Sequence, residues 1–412
     1  MKVILVVGAR PNFMKAAPIL RAIADANQLE STTITPVLVH TGQHYDAAMS
    51  DAFFADLNLP KPDIHLGVGS GSHAGQTAEI MRKFEGVLES ERPDVVIVVG
   101  DVNSTVACAL VTAKISFDST GSRPLLAHVE AGLRSFDRSM PEECNRVVTD
   151  HLSDLLFVTE ESGLHNLERE GISKDKIFLV GNTMIDSLLV CRHHAAESAI
   201  LQHLGLGKKV NGSAELIHPY ALLTLHRPAN VDNRDTFRGI LEGLQELAAT
   251  TRIVFPAHPR TQQSIRKNNL DCFFHTPGQH DWSLEHPWAR ILMMGPLGYL
   301  DFLCLMMHAS LVITDSGGIQ EETTCLGVPC VTVRENTERP ITVEVGTNIL
   351  AGVRQTSIAR AVQLQRTLQH KARVPDKWDG HAAERIVEVI KNRKSIPHQP
   401  RTSDSALLHT CS

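Results

Sequence analysis

Short runs rich in Val, Ile and Leu recur along the chain, without polar alternation, and each is followed by a stretch with apolar residues three and four apart. The first series predicts strands at Lys2–Val7, Thr35–His40, Pro93–Gly100, Leu125–Val129, Leu155–Thr159 and Ile177–Val180. Between them lie helical patterns at Met14–Asp25, Ala47–Leu57, Gln76–Ser90, Thr105–Ile115 and Pro141–Leu152, the last with Pro at its start as a helix prefers. Strands that do not alternate are buried on both faces, so the expected architecture is α/β with parallel sheets covered by helices. A second series places strands at Tyr220–Leu225, Arg252–Ala257, Ile291–Met293, Leu311–Thr314 and Pro329–Val333, with helices at Arg234–Ala249 and Tyr299–His308. Ser187–Ser213, helical and then polar with glycines, fits a connection between two similar lobes. Asp271–Arg290 reads as a surface excursion, Ala382–Asn392 as a last helix and the polar, Pro-containing tail from Ser395 as disordered. Two Rossmann-like lobes would face a central cleft, with ligands at the carboxyl ends of the strands.

The 412 residues allow two or three domains. A net charge of −6 gives no global basic field for nucleic acid or an anionic membrane, so phosphate binding would have to be local. The eight cysteines are scattered without a C-x-x-C pair, which suits buried thiols in a reducing, cytoplasmic setting. The apolar start, MKVILVV, is too short for a signal peptide, and no run reaches the length of a membrane helix. No metal-ligand spacing, dinucleotide glycine fingerprint or nucleophile elbow is present, so neither a metal nor a redox cofactor is expected.

The candidate chemistry lies at the strand ends. Asp315-Ser316-Gly317-Gly318 follows Leu311–Thr314 and opens a helical pattern, which offers free N–H groups and a favourable dipole to an anion. An ordinary capped turn would look the same. Glu321 and Glu322, one turn further in, could accept hydrogen bonds from ribose hydroxyls, so phosphate plus ribose suggests a nucleotide. Arg10 and Lys15 flank the helix start after the first strand. Asp101 ends the third strand, and Glu130 leaves the fourth beside Arg134, where an unpaired carboxylate would be costly. Glu142 and Arg146 stand four apart on one helix face, as a surface ion pair also would. Three carboxylates at one cleft edge would push their pKa values apart and provide a base and an acid. In the second lobe, His226 could donate to a phosphate or transfer a proton, Phe302 sits on a helix face, and Arg339 adds a cation.

The ordered motifs GARPNFMK, TGQHYD, GDVNST, HVEAGLRS, MPEECNR, TLHRPANVD, DSGGIQEE and ENTERP resemble the non-hydrolysing UDP-N-acetylglucosamine 2-epimerases, a family with the two-lobed GT-B fold. The resemblance covers Lys2 to about Asn392. It implies that Asp101, Glu130 and Glu142 are the acid/base carboxylates, with His226 reaching the phosphates. Arg10, Lys15 and Arg146 would serve the substrate, Ser316, Gly317 and Gly318 the diphosphate, Glu322 the ribose, and Phe302 and Arg339 the nucleotide pocket. The first lobe would span 1–185, with a helix at about 375–393 packed back on it, the UDP lobe 186–374, and a disordered tail 394–412. The implied reaction is anti elimination of UDP through a 2-acetamidoglucal, followed by re-addition, in a cytoplasmic homodimer without a cofactor. A modified substrate such as UDP-diacetamidoglucuronate, a hydrolysing variant, a glycosyltransferase and a UDP-sugar sensor are the alternatives, the last two disfavoured by the carboxylates.

The chain departs from that family at Ala9 and Asn12, where many members read G-T-R-P-E, and at Leu297, where many have Gln. Many bacterial members are also activated by a second UDP-N-acetylglucosamine, and there a Gln commonly follows three after the Gln of T-G-Q-H. Here that position is Asp46, which would repel a diphosphate. The rate is therefore expected to follow substrate concentration hyperbolically, and a sigmoidal curve straightened by UDP-N-acetylglucosamine itself would contradict this.

Overall fold

The computed structural model describes residues 1–29, 33–43, 57, 59–210, 213–275, 291–367 and 373–393. The expected helix at Ala47–Leu57 apart from Leu57 itself, most of the excursion at Asp271–Arg290, the position of Asp46 and the tail from Ser395 lie outside them.

The first lobe is a seven-stranded parallel sheet of β1 (Lys2–Val7), β2 (Thr35–His40), β3 (Ile64–His65), β4 (Val95–Val99), β5 (Leu125–Ala131), β6 (Leu155–Val158) and β7 (Ile177–Leu179), in the order β3-β2-β1-β4-β5-β6-β7. β4 is VVIVV with every residue buried, which is what a central strand covered on both faces requires. A short antiparallel hairpin, β8 (Gly207–Val210) and β9 (Ser213–Leu216), follows where the sequence suggested only a polar connection. The second lobe holds β10 (Tyr220–Thr224), β11 (Arg252–Pro256), β12 (Ile291–Met294), β13 (Leu311–Thr314), β14 (Cys330–Thr332) and β15 (Asn348–Leu350), ordered β12-β11-β10-β13-β14-β15. The strand order reverses beside β1 and β4 in one sheet and beside β10 and β13 in the other. These are the switch points where open α/β sheets form ligand crevices.

Helices generally start and end near the expected residues, and Pro141–Leu152 coincides with its expectation. Arg10–Leu29 begins four residues early because Asn12 organises the preceding turn: its Oδ1 accepts from Gly8 N and Ala9 N at 3.1 and 3.0 Å, and its Nδ2 donates to Val99 O at 2.9 Å. Asn12, one of the departures from the family pattern, thus ties β1 to β4. The stretch expected as one helix over Arg234–Ala249 is broken into Arg234–Gly243 and Gln245–Thr250.

The helix Thr183–Ala196 packs on Arg10–Leu29 of the first lobe and on Tyr299–His308 and Gly317–Leu326 of the second. Ser187 Oγ on it donates to Met14 O at 2.6 Å. The chain then returns: Trp378, almost fully buried, donates from Nε1 to Thr159 O at 3.0 Å, and Asp186 accepts from Ala382 N and Ala383 N at 3.2 and 2.8 Å. That caps the helix Ala382–Asn392, whose apolar face (Ile386, Val387, Ile390) lies against Arg10–Leu29. Trp378→Ala is expected to destabilise the fold by about 3–5 kcal/mol, as a large core truncation does; denaturant unfolding checks it.

Candidate active site

The loops leaving both switch points meet between the lobes. Gly100 follows β4 with φ +67, a conformation that favours glycine, and a Cβ there would stand 2.9 Å from Lys15 Nζ. On β5 the register shifts between Val129 and Ala131, and Glu130 between them takes φ +74. A bulge of this kind re-aims one side chain, and a non-glycine residue in that conformation costs of order 1–3 kcal/mol unless its surroundings fix it. Here the surroundings are cationic: Glu130 Oε2 is 2.5 Å from Lys15 Nζ, and Oε1 accepts from Arg339 Nη2 at 3.1 Å. The alternative Glu130–Arg134 pair does not form. Arg134 instead pairs with Asp150 and Glu170, each at 2.7 Å, while Asp150 also meets His128 Nδ1 at 2.6 Å.

Arg146 reaches Asp101 through Nη2 at 2.6 Å and Nε at 3.0 Å, and Asn145 donates to the Asp101 carbonyl at 2.9 Å. Its helix partner is Glu143, three residues away at 2.7 Å, and not Glu142. Glu143 is buried because its carboxylate also accepts from Ser135 N, Ser135 Oγ and Phe136 N, each at 2.9 Å, pinning the loop after β5. Glu142 is half-buried, and among the described residues no hydrogen bond or ion pair ties it to Asp101 or Glu130.

Arg339 belongs to the second lobe, so its bond to Glu130 crosses the cleft. So does Arg146 Nη2 to Glu338 Oε1 at 3.3 Å. Glu338 gathers Arg334 at 2.6 Å, Arg227 at 3.3 Å and Arg339 at 3.7 Å as well. Arg339 also lies 2.9 Å from Glu321. Opposite, Asp315 at the end of β13 accepts from His226 N, Arg227 N and Asn230 Nδ2 at 3.1, 2.9 and 3.1 Å, and from the half-exposed His226 ring at 3.1 Å. The helix Gly317–Leu326 opens here. Ser316 caps it by position without a side-chain bond to it, and a Cβ on Gly317 would collide with the Arg339 guanidinium. Glu322 accepts from Tyr299 OH at 2.9 Å, and Phe302, one turn beyond Tyr299, is half-buried against the core. Arg10 heads its helix, but its side chain lies outside the described placement.

The electrostatics follow from burial and charge together. Burial pushes the Asp101 carboxyl up, but Arg146, Lys15 and Arg339 outweigh it and hold it below its ordinary value. Burial acts on Glu338 in the same way, and its four guanidiniums depress it far below the carboxylate range. Two neighbours behave oppositely: burial lifts Glu160 to about 8, with Glu321 adding to the rise, and lifts Glu321 to about 7 against Arg339. The cleft therefore combines ionised carboxylates, protonatable ones and convergent guanidiniums beside an open helix N-terminus. That set can move protons on a ligand whose anionic group the cations hold. No group of three or more His, Cys, Asp or Glu among the described residues could hold a metal ion.

The chain matches the UDP-N-acetylglucosamine 2-epimerase family over residues 27–391. The chain belongs to that family. It is 42% identical over 398 residues to a UDP-N-acetylglucosamine 2-epimerase of Methanocaldococcus jannaschii, covering 95% of this chain and 99% of the relative. A UDP-2,3-diacetamido-2,3-dideoxy-D-glucuronate 2-epimerase of Pseudomonas aeruginosa is 36% identical, with 95% and 99% covered. The crystal structure of the M. jannaschii UDP-GlcNAc 2-epimerase in complex with UDP-GlcNAc and UDP superposes with a TM-score of 0.81 at 41% identity, over 95% of this chain and 99% of that one. The expected family and GT-B fold class are therefore correct.

Sequence reasoning did not single out Glu143, Glu160, Arg334 or Glu338 for the cleft. Glu338 stands inside ENTERP, where only Arg339 was a candidate. The buried Glu160 carboxyl holds a proton in the folded state up to about pH 8, whereas an exposed one loses it near pH 4–5. The folded state then binds more protons in that window, so Glu160 costs stability increasingly as pH rises. Glu160→Gln should match the wild-type melting temperature near pH 5 and exceed it by a growing margin towards pH 8; a constant difference across this range contradicts the assignment.

Proposed function

We propose that the protein interconverts UDP-N-acetylglucosamine and UDP-N-acetylmannosamine by eliminating and re-adding UDP. The observation that carries this reading is the Lys15–Glu130–Arg339 contact across the cleft, with Asp101 on Arg146 beside it and the Gly317 helix N-terminus below. Breaking the C1–O bond leaves negative charge on UDP, and removing the C2 proton needs a base. Arg339, Lys15 and Arg146, with Arg10, take up the departing charge. The N–H groups at Ser316, Gly317 and Gly318 hold the diphosphate with His226, Glu322 takes the ribose, and Phe302 borders the nucleotide. Asp101, Glu130 and Glu142 provide the base on one face of C2 and the acid on the other, so that the 2-acetamidoglucal is reprotonated with inversion. Two lobes joined by ion pairs shield that intermediate from water. No redox cofactor enters, because no electrons are exchanged with a second molecule. The sequence resemblance further supports a homodimer in the cytoplasm, and sedimentation of the purified protein tests the dimer.

Two substitutions separate chemistry from binding. Asp101→Asn and Glu130→Gln are expected to lower kcat by about 10²–10⁴-fold, the range for removing an acid or base, while calorimetry still shows UDP binding. Gly317→Ala displaces the Arg339 guanidinium and should weaken UDP binding by about tenfold, as loss of one charge-assisted contact does. Retained turnover in both carboxylate variants would remove the proposed roles.

A further inference from the structure

Glu338 has no place in the reaction as drawn, yet it is the most heavily cationic carboxylate environment described. Its Oε2 takes Arg334 Nη1 at 2.6 Å. Its Oε1 is shared by Arg146 Nη2 and Arg227 Nη2, each at 3.3 Å, with Arg339 Nη1 at 3.7 Å. Only 2% of Glu338 is exposed, so solvent cannot substitute for it. Guanidiniums converging in a dry cleft repel one another, and an anion among them is what lets them share the space.

The connections of these arginines give Glu338 its position. Arg146 comes from the first lobe and also holds Asp101 and Glu143. Arg339 lies over Gly317 at the helix N-terminus and holds Glu130. Arg227 is anchored to the Asp315 carbonyl through Nε at 2.9 Å. Glu338 is thus one ion pair away from the proposed acid/base group on one side and from the proposed diphosphate site on the other. We propose that Glu338 is a positioning residue that shares Arg146 with Asp101, keeping that arginine from committing fully to it, and limits how tightly the arginine cluster holds the diphosphate, so that UDP is retained during re-addition but not trapped. Removing its charge leaves one more uncompensated cation facing the diphosphate. It also leaves Arg146 more fully committed to Asp101, which makes that carboxylate a weaker base. The signature is tighter UDP binding with slower turnover, a pattern opposite to that of a damaged site, where both binding and turnover decline.

The turnover half of this inference rests on the epimerase reading, and the binding half does not. The test uses the full-length protein and UDP as the calorimetric probe, with Glu338→Gln, Glu338→Asp and the wild type compared alongside kcat for UDP-N-acetylglucosamine. Glu338→Gln is expected to bind UDP at least about threefold more tightly and to lose at least about tenfold in kcat. Glu338→Asp, which keeps the charge but draws it back from Arg146, should bind UDP as tightly as the wild type or more so, with a smaller loss of kcat. It decides the matter should the Gln variant fail to fold. Unchanged or weaker UDP binding in folded Glu338→Gln, or weaker binding in Glu338→Asp, overturns the proposal and leaves Glu338 a purely structural ion-pair partner. A wild type that binds UDP without epimerising UDP-N-acetylglucosamine would overturn the proposed reaction, and the UDP comparison would still decide the role of Glu338.

Discussion

A buried guanidinium is costly unless its charge is paired, and the cleft of this protein is organised by that requirement. Lys15, Arg146, Arg227, Arg334 and Arg339 crowd between the lobes, and Asp101, Glu130, Glu143, Glu321 and Glu338 are placed among them. The pairs are interlocked: Arg339 serves Glu130, Glu321 and Glu338, and Arg146 serves Asp101, Glu143 and Glu338. Removing one member leaves an unpaired buried charge, which costs far more than a surface pair is worth. The network therefore holds the lobes together and sets which carboxylates stay ionised.

The fold supplies the geometry that this network needs. Switch points bring Gly100 and Asp101 from one sheet, and Asp315 and the Gly317 helix from the other, to the same crevice. The bulge at Glu130 turns a strand residue into the cleft at the expense of backbone strain, which Lys15 and Arg339 offset. Gly100 takes a positive φ beside Lys15, and the missing side chain of Gly317 leaves its space to the Arg339 guanidinium. Behind them the helix Thr183–Ala196 and the returning segment at Trp378 fasten the two lobes to a common support.

Much of this was legible in the sequence, because buried parallel strands write themselves as uninterrupted apolar runs. β4 and β13 could be read directly, as could the Ser316-Gly317-Gly318 turn. The hairpin at Gly207–Leu216 was not, since its strands, GKKV and SAEL, are short and carry no apolar run. Helix spacing suggested Glu142 as the partner of Arg146 because both residues share a face. Glu143 shares it too, and only the loop N–H groups of Ser135 and Phe136 decide which of the two is buried. Glu338 was hidden for a similar reason: a charged run in a loop looks solvated until the opposite lobe contributes Arg146.

On this chemistry the charges exchange a proton at C2 of a UDP-sugar while UDP leaves and returns. Proton NMR of the protein with UDP-N-acetylglucosamine in deuterated water tests it most directly. Elimination and re-addition give a new UDP-linked manno sugar with deuterium at C2 in both epimers. Free N-acetylmannosamine with UDP, or epimers that keep their C2 proton, would contradict it.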